Sequence, residues 1–341
     1  MKRFVLACLL SLGAAWAHAG VGLTTLPGMQ GDGPVTVFYP SRAAEQRLPR
    51  GPFVLQFAPD GEPVLGNGRL VVMSHGSGGA PWVHSDLART LVEAGFVVAF
   101  PTHRGDNWEG MGDAGPVSWR RRPGEVSRAI DAVLEDRRFA PLVQTDRIGM
   151  YGMSAGGHTA LTLAGGRWSP SVLRQHCEQH LDDDFPSCVG LATQLSGNLL
   201  DGVKKAVAIR VIRWRLDDAA WYSHEDPRIK AVVAEVPFAA DFDAQSLAQP
   251  RVPLGIVQAG QDKWLAPRFH SAAVLHACQP CTLVADVATA GHGSLLSPPP
   301  PRENLSGIAA RLLADPPGFD RSLVPAAHGR IGAFFRQTLL P

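Results

Sequence analysis

The residue of this sequence best placed to attack a carbonyl carbon is a serine held between two glycines. It is Ser154, in Gly152-Met153-Ser154-Ala155-Gly156. Such a pentapeptide recurs by chance, so its setting decides its meaning. Arg147 to Tyr151 reads as a buried strand and Ala155 to Leu163 as a helix. A strand, a tight turn and a helix are what project a serine oxygen above a sheet edge. There the partial positive charge of the helix N-terminus favours a developing anion. A serine hydroxyl is a weak nucleophile without a base. His292, in Gly291-His292-Gly293-Ser294, follows the strand expected at Thr282 to Val287 and can carry an imidazole over the sheet edge. His270 and His276 fall on a predicted helix and are expected at the surface, whereas His158 is expected to be structural. The imidazole needs a carboxylate to fix its tautomer. Asp262 stands directly after the strand expected at Leu254 to Gln258, and Asp241 and Asp243 are its rivals. Glu235 lies within a strand, and Asp286 lies on the strand that leads to the histidine itself.

An oxyanion formed at such a site needs two N–H donors. One is expected from the backbone of Ala155. The other is expected from Ser77, in the loop Ser74-His75-Gly76-Ser77-Gly78-Gly79 that follows the strand at Leu70 to Ser74. His75 is expected to hold that loop by hydrogen bonds rather than act as a base. A second loop, Pro101-Thr102-His103-Arg104-Gly105-Asp106-Asn107-Trp108, follows the strand at Phe96 to Phe100. It either offers His103, Arg104 and Trp108 to a pocket or is an ordinary loop stapled by polar side chains.

Positioning these groups requires an α/β fold. Short β-branched runs alternate with amphipathic stretches from about residue 34, the pattern of a mostly parallel sheet covered by helices on both faces. Val35 to Tyr39 and Phe53 to Phe57 read as leading antiparallel edge strands, and Ile229 to Val236 as a further buried strand. Helices are expected at Ser85 to Ala94, Glu125 to Asp136, Glu303 to Leu313 and Gly329 to Leu340. Between the helix after Ser154 and Ile229 lie about sixty residues, far more than an ordinary connection. This stretch, at about 167–228, reads as a cap over the site rather than a second domain.

The chain has 341 residues, 45% hydrophobic and 18% charged, an ordinary globular balance. Its formal charge of +1 removes the electrostatic case for a nucleic-acid partner. Residues 1–19 read as a cleavable signal peptide: Lys2 and Arg3, an apolar run from Phe4 to Leu12, then Ala17-His18-Ala19. The run is too short to span a bilayer, so no integral membrane segment is expected beyond it. A periplasmic or extracellular location follows. Cys177, Cys188, Cys278 and Cys281 would then be oxidised, with the sequence-local pairs Cys177–Cys188 and Cys278–Cys281 favoured among three possible pairings. A redox role for the second pair, or a four-cysteine metal site, is the weaker reading.

With these residues in place, the chain resembles the bacterial α/β-hydrolases labelled predicted dienelactone hydrolases, which are similar to the platelet-activating-factor acetylhydrolases. The likeness runs through Pro34 to Pro40, Ser74 to Gly79, Gly152 to Gly157, the two-cysteine insertion, Asp226 to Val233, Asp262 and His292. It implies an α/β-hydrolase fold and carboxylic-ester hydrolysis through an acyl-enzyme, with no metal or organic cofactor. True dienelactone hydrolases use a cysteine nucleophile where this chain has Ser154, so their substrate is not implied. In the acetylhydrolases the acid follows an earlier strand, which here reads Ala234-Glu235-Val236-Pro237 without a matching aspartate. An esterase of small or medium esters, a lipase or phospholipase, and a non-catalytic binding protein on the same scaffold are the readings carried forward.

Overall fold

The computed structural model describes residues 20–301, 303, 305 and 307–341. The expected signal peptide lies outside the described residues. The strands are β1 (Gly20–Leu26), β2 (Val35–Ser41), β3 (Gln46–Arg50), β4 (Phe53–Pro59), β5 (Leu70–Ser74), β6 (Val97–Pro101), β7 (Ile148–Met153), β8 (Ile229–Glu235), β9 (Leu254–Ala259) and β10 (Thr282–Val287). The helices are α1 (Ser85–Glu93), α2 (Pro116–Glu135), α3 (Ala155–Leu163), α4 (Pro170–His180), α5 (Phe185–Val189), α6 (Asp201–Arg215), α7 (Ala244–Ala248), α8 (Ser271–Ala277), α9 (Gly307–Leu313) and α10 (Leu323–Leu339).

All ten strands form one sheet in the order β10-β9-β8-β7-β5-β6-β2-β1-β4-β3. From β10 to β6 every pairing is parallel. The sheet turns antiparallel where β2 meets β6 and β1 meets β2. Strands buried on both faces need apolar side chains at every position, and β5 shows how they are divided. Leu70 and Val72 point into one core with Val126, Ile130 and Val133 of α2. Val71 and Met73 point into the other with Leu87 and Leu91 of α1 and Phe335 of α10. This is an α/β protein with a mixed, mostly parallel sheet and helices packed on both of its faces.

Three expectations are corrected. The run at Val35 is not an edge strand; β2 lies inside the sheet with all seven residues buried. It is covered by β1, whose two glycines break its strand pattern. The edge at that end is β3, whose polar residues and Pro49 suit an unpaired border. Helix α2 starts at Pro116 rather than Glu125 and runs through Pro123. An interior proline costs about 3 kcal/mol. Burial of Trp119, Arg122, Glu125 and Val126 around it holds the helix together. The last helix begins at Leu323, six residues earlier than its periodicity suggests.

Between α3 and β8 the long connection folds into α4, α5 and α6. Cys177 of α4 is joined to Cys188 of α5, and Cys278 to Cys281 beside α8. These are the sequence-local pairs, and two disulfides point to an oxidising compartment. Among the described residues no helix is long and apolar enough to cross a membrane. Asp184 ties this segment to the rest of the molecule, accepting hydrogen bonds from His176 at 2.8 Å and from His270 at 3.2 Å. His270 is therefore buried, not a surface residue as its helical setting suggested. His276 is exposed as expected.

The disulfide between α4 and α5 closes a small loop, with its cysteines 11 residues apart. By loop-closure entropy it contributes about 3 kcal/mol. Replacing both Cys177 and Cys188 by Ala is expected to lower stability by about that amount in urea unfolding. Limited proteolysis is expected to cut first between residues 181 and 200. An unchanged unfolding midpoint would show that the loop is held without the bond.

Candidate active site

Ser154 ends β7 and caps α3 with φ 57° and ψ −116°, outside the conformations a serine ordinarily adopts. The turn is tight enough to exclude side chains on both flanks. A Cβ on Gly152 would lie 1.9 Å from the Gly156 carbonyl oxygen, and one on Gly156 would lie 1.9 Å from that of Ser74. The Ser154 N–H donates to the Glu235 carbonyl at 3.0 Å, and the Phe238 N–H donates to the Ser154 carbonyl at 3.2 Å. The elbow is thus tied into β8 on either side of the peptide plane.

Three side chains from three strand ends meet above it. His292 Nε2 lies 3.0 Å from Ser154 Oγ, and His292 Nδ1 lies 2.7 Å from Asp262 Oδ2. The other Asp262 oxygen accepts the N–H groups of Trp264 at 2.8 Å and Leu265 at 2.9 Å. With that carboxylate bonded to Nδ1–H, Nε2 is left to accept the serine proton. The rival carboxylates are occupied elsewhere. Asp241 lies 3.1 Å from Nε2 of His158, which is buried and stacked on Trp119. Asp243 accepts from the Gln245 N–H at the start of α7 and pairs with Arg167. Asp286 is exposed and receives the Gln258 amide.

Ser77 and Ala155 line the same cavity as Ser154 and His292. Among the described residues the Ser77 N–H has no acceptor in the protein, whereas the next two N–H groups are taken by Asp106 and Gly76. The loop bearing Ser77 is anchored by a buried ion pair that sequence reading missed. Asp106 accepts from the Gly78 N–H at 3.1 Å and from the Ser77 hydroxyl at 3.2 Å, and pairs with Arg122 at 2.8 Å. Arg122 also donates to the His75 carbonyl and, at 2.9 Å, to the Ser118 hydroxyl. Burial alone would raise the Asp106 carboxyl, but the Arg122 charge and hydrogen bonds bring it below its ordinary value. A signal for Arg122 was present: it continues the helical stripe of Trp119, Val126, Ala129 and Val133, all of them buried. Arg120 and Arg121, in the same basic run, fall off that stripe.

His75 holds the loop, as expected. Its Nε2 accepts the His103 N–H at 3.3 Å and its Nδ1 bonds the Gly76 carbonyl at 2.7 Å. Burial, then the neighbouring His103 and Arg122, push it well below the ordinary histidine range, so it is neutral. His103 is not a pocket residue. It is fully buried between Ser74 Oγ at 2.7 Å and Glu125 at 2.5 Å. Burial drives this histidine well below its ordinary range and raises the Glu125 carboxyl. Arg104 is exposed and outside the cavity, where only its N–H and carbonyl serve the loop. Of the three side chains considered for the pocket, Trp108 alone lines it.

The cavity above Ser154 measures about 1470 Å³. Its floor is Gly76 to Ala80 with Ser154 and Ala155, and its walls include Phe238, Leu265 and Ile212 of α6. Among the described residues no group of three or more His, Cys, Asp or Glu is arranged to hold a metal ion. Compared with known proteins, the chain matches no family model and no curated protein.

Two outcomes test this geometry. Asp262→Asn is expected to favour the wrong imidazole tautomer and to lower turnover of an activated ester about 10⁴-fold. Asp241→Asn and Asp243→Asn are expected to stay within about tenfold of the unaltered protein. A collapse in either of those, with Asp262→Asn nearly unaffected, would move the acid elsewhere. The second outcome concerns Glu235, fully buried and bonded by the Tyr151 hydroxyl, which burial pushes up to about 7. Because its folded value lies above its unfolded one, its stabilisation is complete below about pH 4.5 and is lost as pH rises toward 7. Glu235→Gln is therefore expected to remove a pH-dependent loss of roughly 3 kcal/mol between pH 4.5 and 8. Urea midpoints of both proteins across that range measure it, and parallel curves would contradict it.

Proposed function

We propose that this chain is a serine hydrolase of the α/β-hydrolase type that cleaves carboxylic esters through an acyl-enzyme. The observation that carries this reading is the relay from Asp262 through His292 to Ser154, with the serine on a left-handed turn at a helix N-terminus. Ser154, Asp262 and His292 follow β7, β9 and β10, which is the chain order of that fold's triads.

In the proposed reaction, Ser154 Oγ attacks the ester carbonyl while its proton passes to His292 Nε2. The resulting oxyanion is met by the N–H groups of Ser77 and Ala155. The carbon–alkoxy bond then breaks, and His292 returns the proton to the departing alcohol. Water, deprotonated by the same imidazole, attacks the acyl group and regenerates the serine. Asp262 stabilises the imidazolium in both halves without itself taking the proton. Every step is supplied by these five residues. A binding protein on such a scaffold would have no use for a complete relay.

The size of the cavity favours an acyl-lipid substrate within this class. Drug-sized ligands occupy about 300–1,000 Å³, and 1470 Å³ walled by apolar side chains leaves room for more than a short acid. The two disulfides accord with export to the periplasm or beyond.

Ser154→Ala is expected to lower kcat about 10⁶-fold on p-nitrophenyl esters, with an unchanged circular dichroism spectrum. On the unaltered protein, kcat/KM is expected to hold or rise from acetate through octanoate. Near-normal turnover by folded Ser154→Ala would overturn the mechanism. A fall beyond butyrate would assign the cavity to something other than an acyl chain.

A further inference from the structure

Helix α6 has two apolar faces. Ala208 and Ile212 are buried against the rest of the cap. On the opposite side Val203, Val207 and Trp214 follow one another at helical spacing and all are exposed, with Leu199 and Leu200 just before the helix. Leu199 is 99% exposed and Trp214 is 74% exposed. Leaving such side chains in water forgoes about 1.5–3 kcal/mol apiece. Single exposed apolar residues are ordinary, but a contiguous stripe marks an interaction surface.

The stripe does not stop at the helix. Val203, Val207 and Val211 also line the cavity over Ser154, and exposed Trp108, Met111 and Leu191 stand on its walls. The exposed apolar residues of α6 therefore continue into the cavity wall, where Lys204 and Arg215 of the same helix border them. The same helix carries five basic residues, Lys204, Lys205, Arg210, Arg213 and Arg215, against one acidic residue, Asp201. Lys204, Lys205 and Arg213 are paired with Asp201, Asp182 and Glu178. Arg210 and Arg215 have no carboxylate partner among the described residues, and Arg210 lies beside Val203 and Trp214 on the apolar side.

From this we infer that α6 docks the protein on an anionic lipid surface, with Leu199, Val203, Val207 and Trp214 entering the interface. Exposed apolar side chains ending in a tryptophan, beside two arginines without carboxylate partners among the described residues, suit the interface of an anionic membrane, where tryptophan and basic residues sit together. A second copy of the chain fits less well, because a two-fold contact would set this basic helix against itself. Docking in this way turns the cavity mouth toward the bilayer, so an acyl chain can pass from lipid to Ser154 without crossing water. That last consequence rests on the hydrolase reading; the docking does not.

Sedimentation with vesicles tests the docking directly. The unaltered protein is expected to bind phosphatidylcholine vesicles containing about 30% phosphatidylglycerol at least tenfold more tightly than pure phosphatidylcholine. Leu199→Glu combined with Trp214→Glu, neither of which lines the cavity, is expected to weaken that binding more than tenfold. Its hydrolysis of soluble p-nitrophenyl acetate should be unchanged. Arg210→Gln is expected to lose about fivefold, the share of one charge near the surface. Ser154→Ala should bind as the unaltered protein does, which separates failure of docking from failure of catalysis. No sedimentation with anionic vesicles, or equal binding by the double variant, would overturn the inference. Self-association abolished by the double variant, without vesicle binding, would assign the stripe to a second copy.

Discussion

A serine held at positive φ between a strand and a helix is the constraint on which the rest of this structure depends. Such a conformation costs on the order of 1–3 kcal/mol and persists only where its surroundings over-determine it. Here the surroundings include a second residue of the same kind. Val236, a β-branched residue for which positive φ is rarer still, sits at φ 35° next to the carbonyl that receives the Ser154 N–H. The two departures are therefore coupled: β8 bends where the elbow needs an acceptor, and Phe238 then closes back on the Ser154 carbonyl. Parallel pairing of β7 with β8 through Met153 and Glu235 fixes both ends of this arrangement.

Around that elbow, polar groups are buried in pairs rather than singly. Arg122 with Asp106 and His103 with Glu125 lie behind the loop that carries Ser77, and neither pair reaches the cavity. A buried ion pair such as Arg122 with Asp106 seldom adds net stability, because desolvating both partners offsets their attraction. What these pairs contribute is position. Asp106 takes up the Gly78 N–H and the Ser77 hydroxyl, and among the described residues the Ser77 backbone N–H is left without an acceptor in the protein. His75 and His103, held neutral by burial, act as fixed donors and acceptors rather than bases.

Much of this was legible in the sequence, and for physical reasons. Ser154 and Asp262 follow the apolar interior strands β7 and β9, and His292 follows β10 at the sheet edge, so their relative placement follows from the sheet. The disulfide pairs were legible because four cysteines in two sequence-local pairs leave few alternatives. What escaped was whatever depended on tertiary partners. β1 was missed because Gly20 and Gly22 break its strand pattern, although Thr24 and Thr25 favour a strand. Helix α2 crosses a proline that only its buried face can outweigh. His103 belongs to a loop that reads equally as pocket lining or as stapled by polar side chains, and the staples, Ser74 and Glu125, are far from it in sequence. His270 likewise meets Asp184, between α4 and α5, through a contact no local pattern encodes.

The central claim is that His292 activates Ser154, and covalent capture measures it most directly. The protein is treated with a fluorophosphonate, the adduct is located by peptide mass mapping, and the inactivation rate is compared with that of His292→Gln. The account predicts a single adduct on Ser154, formed at least about 10³-fold more slowly when the imidazole is gone. An adduct on another residue, or one on Ser154 that forms equally fast without His292, would contradict it.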